Sequence, residues 1–394
     1  MSKKEITIGM FGYGVVGNGV YDIVNSISGL KAHVKKICAK NPDKPRDIDI
    51  SNFTFDKYDL LNDPEINLIV EAINDPKAAF EIVCQAMRNG KSVVTANKKM
   101  LAENLAELIA LQEETGTALL YEAASCGSIP IIRNLEEYYD NDLLTNIEGI
   151  FNGSTNYILS RIFEHNNDYD IALKQAQDLG FAETDPTLDL IGLDALYKMV
   201  IAVVHAYGVI LDPKKVVTHG IQNIASHDIE FARQRRSKFR HIAVAEKNKD
   251  NEIYVYVMPK LVAVNQFYFH VRNEDNCVVL EGDYTSKQYF QGKGAGSYAT
   301  GSAVVSDISA RLYDYKYGFK KYKRENNPVQ SNEKVLEVYF RYYSEGNLQH
   351  FKFDKIKAKY TSKEYNYLIA EISLASLLAA GDKLNSADIF IAIL

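Results

Sequence analysis

Ile6-Thr7-Ile8-Gly9-Met10-Phe11-Gly12-Tyr13-Gly14-Val15-Val16-Gly17 is the stretch on which the fold reading turns. Its first six residues are a short apolar run with strand character. A G-x-G-x-x-G pattern follows directly, and an amphipathic stretch continues to about Ile27. In a strand–turn–helix of this kind the first glycine makes the tight turn. The second lets the backbone approach a pyrophosphate, and the third lets helix and strand pack closely. The helix N-terminus then faces the anion with unpaired amides. Gly12, Gly14 and Gly17, with Val15 and Val16 between the last two, are candidate dinucleotide-binding residues. A glycine turn with no ligand is the plain alternative.

Outward from this stretch the chain alternates. Strand-like runs stand at 34–39, 66–70, 92–95 and 117–121, with helical patterns between them, such as Leu101, Leu105, Leu108 and Leu111 on one face. That alternation predicts an α/β fold, a doubly wound parallel sheet with helices on both faces. From about residue 128 the character changes. Helices are expected over 128–139, 154–164, 169–179 (closed by Gly180) and 193–207 (closed by Gly208). Strands are expected at 241–245, 253–257 and 277–280, which suggests a second, α+β domain. A glycine-rich segment at 292–296 leads into a helix of small residues, and Arg324-Glu325-Asn326-Asn327-Pro328 reads as a linker. The remaining 333–394 is rich in tyrosine and strand formers, with runs at 335–343, 367–372 and 389–394.

The 394 residues allow roughly two to three domains at about 150 residues each. With 46% hydrophobic and 24% charged residues, the composition is that of a folded globular protein, not a disordered one. Lys plus Arg is 45 against 51 Asp plus Glu, a formal net charge of -6, so no basic excess exists to hold a nucleic-acid backbone. The longest apolar runs fall short of the roughly 20 residues of a membrane helix. No apolar signal core follows the N-terminus. The four cysteines, Cys38, Cys84, Cys126 and Cys277, form no C-x-x-C pair and read as reduced thiols of a cytoplasmic protein.

Four further motifs carry chemistry. The second strand ends in Lys40, with Lys44 and Arg46 nearby, where a NAD-type site usually has an acid. Cations there suit the extra phosphate of NADP, and equally a solvated basic loop. Thr95-Ala96-Asn97-Lys98 ends another strand of the sheet, on the side where doubly wound sheets bind ligands, so Lys98 can reach a substrate or nicotinamide. Asp194 and Lys198, four apart, share a helix face among apolar neighbours. Such a pair is either a surface salt bridge or a carboxylate-oriented proton donor. Asp189 lies about 140° away on a continuous wheel and joins that face only if the helix restarts near Gly192. Gly149-Ile150-Phe151-Asn152-Gly153-Ser154-Thr155-Asn156 places polar residues at a helix start, for capping or for grasping a polar substrate.

Taken in order, the chain resembles homoserine dehydrogenase over about residues 4–318. The resemblance rests on GYGVVGNG at 12–19, VVTANKK at 93–99, YEAASCGSIPII at 121–132 and GIFNGSTNYIL at 149–159. LGFAETDPTLDLIGLDALYK at 179–198 and GKGAGSYATGSAVVSD at 292–307 complete it. It implies reversible, NAD(P)-dependent reduction of L-aspartate 4-semialdehyde to L-homoserine, in the biosynthesis of threonine, methionine and isoleucine. It implies a Rossmann-type domain at 1–128 with 296–320, and a catalytic/dimerisation domain at 129–295. Lys198 would be the proton donor, with Asp194 positioning it and the substrate. Glu183 would bind the substrate amino group, Asp189 would complete the acidic pocket, and Lys98 would lie between nicotinamide and substrate. Gly14, Val15 and Val16 would line NADP, or NAD in its place, with Asn74, Gly180 and Gly296 reaching it. A monovalent cation such as Na+ or K+ would sit on Glu122, Ser125, Gly127 and Ile129, mostly on carbonyls, which suit a hard ion. A homodimer or homotetramer is implied.

The sequence departs from the family in places. Asn74-Asp75 replaces two small residues, Cys126 a small residue, and Ser128 a glycine. The tail at 333–394 has the length of an ACT domain but carries Ser344-Glu345-Gly346-Asn347 at the expected turn, so it reads as a divergent ACT-like or structural module. Two rival readings remain: a dehydrogenase for another amino-acid semialdehyde, and a dinucleotide-binding regulator without catalysis.

Overall fold

Ile6–Phe11 is strand β1, and five parallel strands complete its sheet: β2 (Ala32–Cys38), β3 (Phe53–Thr54), β4 (Leu68–Glu71), β5 (Ser92–Thr95) and β6 (Leu119–Leu120). The spatial order is β3-β2-β1-β4-β5-β6. It reverses between β1 and β4, and the crevice outside the strand ends at such a reversal is where doubly wound sheets hold ligands. The structure, a computed structural model, describes residues 5–141 and 143–394. The chain divides into two compact units, Met1–Asp140 with Lys293–Lys320, and Asn141–Gly292 with Lys321–Leu394.

In the first unit the helices are α1 (Val15–Ser26), α2 (Tyr58–Leu61), α3 (Pro76–Arg88) and α4 (Lys98–Thr115). The chain returns at its other end as α11 (Ser297–Arg311, numbered in chain order). α11 packs on α1 through glycines. A Cβ at Gly19 would lie 2.2 Å from the Ser297 carbonyl oxygen, and one at Gly301 only 2.9 Å from the Gly19 backbone. The helix expected over 128–139 is mostly a π-helical turn at Asn134–Tyr138.

The second unit holds β7 (Leu144–Ile150), α5 (Gly153–His165), α6 (Tyr169–Asp178), α7 (Thr187–Leu190), α8 (Leu193–Tyr207) and β8 (Val217–Thr218). It continues with α9 (Ser226–Gln234), β9 (Ser237–Lys247), β10 (Glu252–Ala263), α10 (Phe267–His270), β11 (Asp275–Gly282) and β12 (Gln288–Lys293). After the return through the first unit come β13 (Val329–Gln330), β14 (Val335–Tyr342), β15 (Phe353–Thr361), β16 (Asn366–Ser373), α12 (Leu374–Ala379) and β17 (Ile389–Ile393). One mixed sheet runs β12-β11-β7-β9-β10-β17-β14-β16-β15.

The segment 333–394, expected as a separate module, adds its strands to this sheet. The join is parallel, Lys260 of β10 against Ile393 of β17. Tyr339, Phe390 and Ala392 share one apolar core with Tyr157, Leu159 and Phe239. Arg341 and Asp228, both fully buried, form an ion pair at 3.2 Å between β14 and α9. The stretch read as a linker is pinned: Asn327 Nδ2 donates to the Gly208 carbonyl at 3.1 Å. Gly208, left-handed at φ 72°, lies so close to Lys321 that a Cβ would meet its carbonyl at 2.5 Å. Among the described residues no helix is long and apolar enough to cross a membrane.

Candidate active site

The glycine turn divides its labour by space. A Cβ on Gly12, whose φ is 93°, would strike the Ala72 carbonyl oxygen at 2.5 Å, so this glycine lets the ends of β1 and β4 meet. A Cβ on Gly17 would strike the Gly12 carbonyl at 2.3 Å, which fixes helix against turn. A Cβ on Gly14 meets nothing within 4 Å. Gly14 is the N-cap of α1 without a side-chain capping bond, and no acid occupies the first helical turn. An open cradle with unpaired amides and no competing carboxylate suits a pyrophosphate. Val15 beside it is 68% exposed.

Glu71 ends β4 fully buried and ties the two neighbouring loops. Its Oε1 accepts from the Ile73 amide at 2.7 Å, and its Oε2 accepts from the Thr95 hydroxyl. Asn97 donates to the Ile73 carbonyl at 3.0 Å and caps α4 through Met100 N at 3.1 Å. These bonds hold the exposed Asn74 and the half-buried Lys98, the first residue of α4, at the strand ends. Burial pushes the Glu71 carboxyl up to about 7 against the pull of its hydrogen bonds. Asp75 Oδ1 caps α3, accepting from Lys77 N and Ala78 N at 3.0 and 3.1 Å.

After β2, Lys40 and Lys44 are exposed. Arg46 turns back onto its own loop, donating to the carbonyls of Pro42, Lys44 and Asn41 over the Phe53 ring. An acid does stand nearby: Asp47 accepts from Asn18 of α1 at 3.2 Å, and Asn18 also donates to the Tyr13 hydroxyl at 3.1 Å. Gly296, left-handed at φ 113° with open space at its Cα, caps α11. Of the four residues read as cation ligands, all are buried. Glu122 spends both carboxylate oxygens on the amides of Ile132 and Arg133, at 2.8 and 2.9 Å. Gly127, at φ 55°, abuts the Gly294 carbonyl.

In the second unit the helix does restart. α7 ends at Leu190, Gly192 turns left-handed at φ 90°, and α8 begins at Leu193. The restart brings Asp189 to the Asp194–Lys198 face. Lys198 Nζ lies 2.7 Å from Asp194 Oδ2 and donates to the Phe151 carbonyl at 2.7 Å, with side chains only 8% and 5% exposed. The surface-salt-bridge reading therefore fails. Asn152 Nδ2 donates to Asp189 Oδ1 at 2.8 Å and Asp194 Oδ2 at 2.9 Å, while its Oδ1 caps α5 at Thr155 N. Burial, then the Asp194 charge, raises the Asp189 carboxyl. Ser154 Oγ lies 2.6 Å from the Phe181 carbonyl and 2.8 Å from Asp189 Oδ2. The Ser154 hydroxyl thus donates into a pair of acceptors, tying the Asp189 carboxylate to the loop at Phe181. Glu183 is exposed on the loop after α6, which Gly180 closes at φ 75°.

Asn152, Ser154 and the Phe151 carbonyl belong to this constellation; the sequence read their stretch as a helix start for capping or for grasping a polar substrate, without placing it beside Asp189 and Lys198. Their spacing from Asp189 and Lys198 along the chain carries no signal of contact. Glu71 left no signal either, since an acid closing a short apolar strand resembles any strand end.

A family model for homoserine dehydrogenase matches residues 130–309, and one for the NAD-binding domain of homoserine dehydrogenase matches residues 12–122. The homoserine dehydrogenase of Bacillus subtilis is 36% identical over 324 residues, covering 80% of this chain and 75% of that one. The Helicobacter pylori enzyme is 33% identical over 350 residues, covering 86% and 81%. The crystal structure of a homoserine dehydrogenase from Thiobacillus denitrificans superposes with a TM-score of 0.84 at 28% identity, over 99% of this chain and 98% of that one. Glycine cradle, buried lysine–carboxylate pair and these likenesses agree, and the chain belongs to the homoserine dehydrogenase family, the NAD(P)-dependent oxidoreductases with a Rossmann-type sheet.

Proposed function

We propose that the chain reduces L-aspartate 4-semialdehyde to L-homoserine, reversibly, with Lys198 as proton donor. The observation that carries this is the buried lysine whose ammonium bonds Asp194 and the Phe151 carbonyl. An ammonium has three N–H groups, and two are engaged. The third is available to the oxygen of the aldehyde. When bound, the reduced nicotinamide supplies the hydride that the aldehyde carbon takes up. Lys198 gives its proton to the resulting alkoxide, and Asp194 holds the lysine aimed. Asp189 and Asn152 keep the acidic pocket in shape, Glu183 receives the substrate ammonium, and Lys98 serves the nicotinamide end of the reaction.

For the cofactor we favour NADP. Gly12, Gly14, Val15, Val16 and Gly17 would cradle the pyrophosphate, with Asn74, Gly180 and Gly296 completing the binding. Lys40 would meet the additional phosphate, since Arg46 is committed to its own loop. Asp47, tied to Asn18, is the acid that would favour NAD instead. A sodium or potassium ion fits the hard oxygen donors of Glu122, Ser125, Gly127 and Ile129. With both carboxylate oxygens on amides, Glu122 would offer a second lone pair or its carbonyl. A cytoplasmic homodimer or homotetramer completes the proposal.

The test is homoserine-dependent reduction of NADP or NAD, followed by the absorbance of the reduced nicotinamide, in wild type and Lys198→Met. Loss of a general acid lowers turnover about 10²- to 10⁴-fold, with cofactor affinity retained. A Lys198→Met enzyme within a few-fold of wild type would remove the lysine from the chemistry. A folded wild type that binds NADPH but never oxidises homoserine would favour another semialdehyde or a regulator.

A further inference from the structure

We infer that His219 is a positioning residue of the substrate pocket, clamping residues 217–224 between the C-terminal strand β17 and the Gly192 restart that carries Asp189 and Asp194. The inference rests on the pocket proposed above.

The clamp has two sides. Toward the C-terminus, the Ile391 amide donates to His219 Nε2 at 3.0 Å. A backbone amide only donates, so Nε2 is the bare nitrogen. The proton is then on Nδ1, which lies 3.1 Å from Asn385 Oδ1. Asn385 Nδ2 returns a bond to the Thr218 carbonyl at 3.2 Å, and Asn223 Nδ2 donates to the carbonyls of Ser386 and Ile389 at 2.8 and 3.1 Å.

Toward the pocket, the His219 carbonyl accepts from His241 Nε2 at 3.1 Å. The His241 ring and Thr218 methyl press on Gly192, where a Cβ would meet them at 2.9 and 3.1 Å. The Ile221 amide donates to the Leu190 carbonyl at 2.8 Å, and Gly220 sits so close to that oxygen that a Cβ would lie 1.9 Å away. Leu190 follows Asp189 directly, and Gly192 precedes Asp194 by two residues. Each element packed on this strap therefore fixes one carboxylate. Both histidines are fully buried, and burial drives each down to about 4, so the neutral His219 that the Ile391 bond requires persists at working pH.

This makes residues 385–391 part of the pocket's support, a role different from that of a detachable effector domain. A displacement of about 1 Å at a reacting group far from the altered residue costs on the order of 10²-fold, so clamp loss should raise KM for homoserine by about tenfold or more. The variants are His219→Ala and Asn385→Ala; Asn385 is exposed, so its variant keeps the core intact. The expected result is a raised KM for homoserine, KM for NADP within twofold of wild type, and faster amide hydrogen exchange at residues 187–198. General destabilisation would instead lower the active fraction and leave KM alone. Unchanged KM for homoserine in both folded variants overturns the inference, as does unchanged exchange at 187–198. If the wild type fails to oxidise homoserine at all, the pocket reading falls instead, and the exchange data judge the clamp by themselves.

Discussion

Replacing Asn152 with alanine tests how the pocket is held. One side chain here does three things: its Oδ1 caps α5 at Thr155 N, and its amide donates to Asp189 and to Asp194. A lost N-cap costs about 1 kcal/mol. Each hydrogen bond to a charged partner contributes roughly 1.5–3 kcal/mol, and Asn152→Ala removes two. The raised carboxyl of Asp189 places its bond at the low end, so we expect a loss of about 4 kcal/mol. That is a large share of the roughly 5–15 kcal/mol typical of a folded domain. Asn152→Ser retains the cap but cannot span the two carboxylates. It should recover about 1 kcal/mol and none of the catalytic loss. The assay pairs urea denaturation with steady-state oxidation of homoserine. Both variants should show raised KM for homoserine, because nothing then parts the two carboxylates. If Asn152→Ser restores both stability and KM, the residue is a helix cap alone and its bridging of Asp189 and Asp194 is not what holds the pocket.

Glu71 sets a pH dependence. Its carboxyl is near 7 when folded and near 4.5 when exposed, so the folded state holds a proton that the unfolded state releases. Stability from this group is therefore present below about pH 4.5 and lost as pH rises to about 7, by about 3 kcal/mol at 1.36 kcal/mol per unit. Glu71→Gln should flatten that part of the wild-type profile, and parallel melting curves across pH 4–8 would contradict it. Gly14→Ala should fold with near-normal stability yet bind NADPH poorly, whereas Gly17→Ala should destabilise the fold; equal melting losses in the two would undo the division of roles in the turn. Arg341→Met should cost about 3–5 kcal/mol by leaving Asp228 buried and unpaired, with the whole second unit melting together. A separate early transition confined to 333–394 in hydrogen exchange would count against the shared core.

The first unit was legible in sequence because each signal was local. An apolar run, three glycines at fixed offsets and a repeating strand–helix alternation need no partner from afar to be read. The ends of α6 and α8 were legible for the same reason, since Gly180 and Gly208 supply the left-handed residue that stops a helix. β7 and β15 were not. β7 carries Asn146, Glu148 and Gly149, and Gly149 is there because the Cys277 carbonyl leaves no room for a Cβ. β15 is nearly all exposed, with Lys355, Lys357 and Lys359 along an edge, so it lacks the apolar alternation that betrays a half-buried strand. The restart at Gly192 stood as a condition in the sequence. It became a fact only through the packing of His241 and Thr218 against that glycine. The residue types of the chemistry, Lys198 with Asp194 and Asp189, were thus written in the chain. That they are buried, that Asn152 joins them, and that the C-terminal strands share their core depend on contacts between residues up to some 170 positions apart, which only tertiary packing creates.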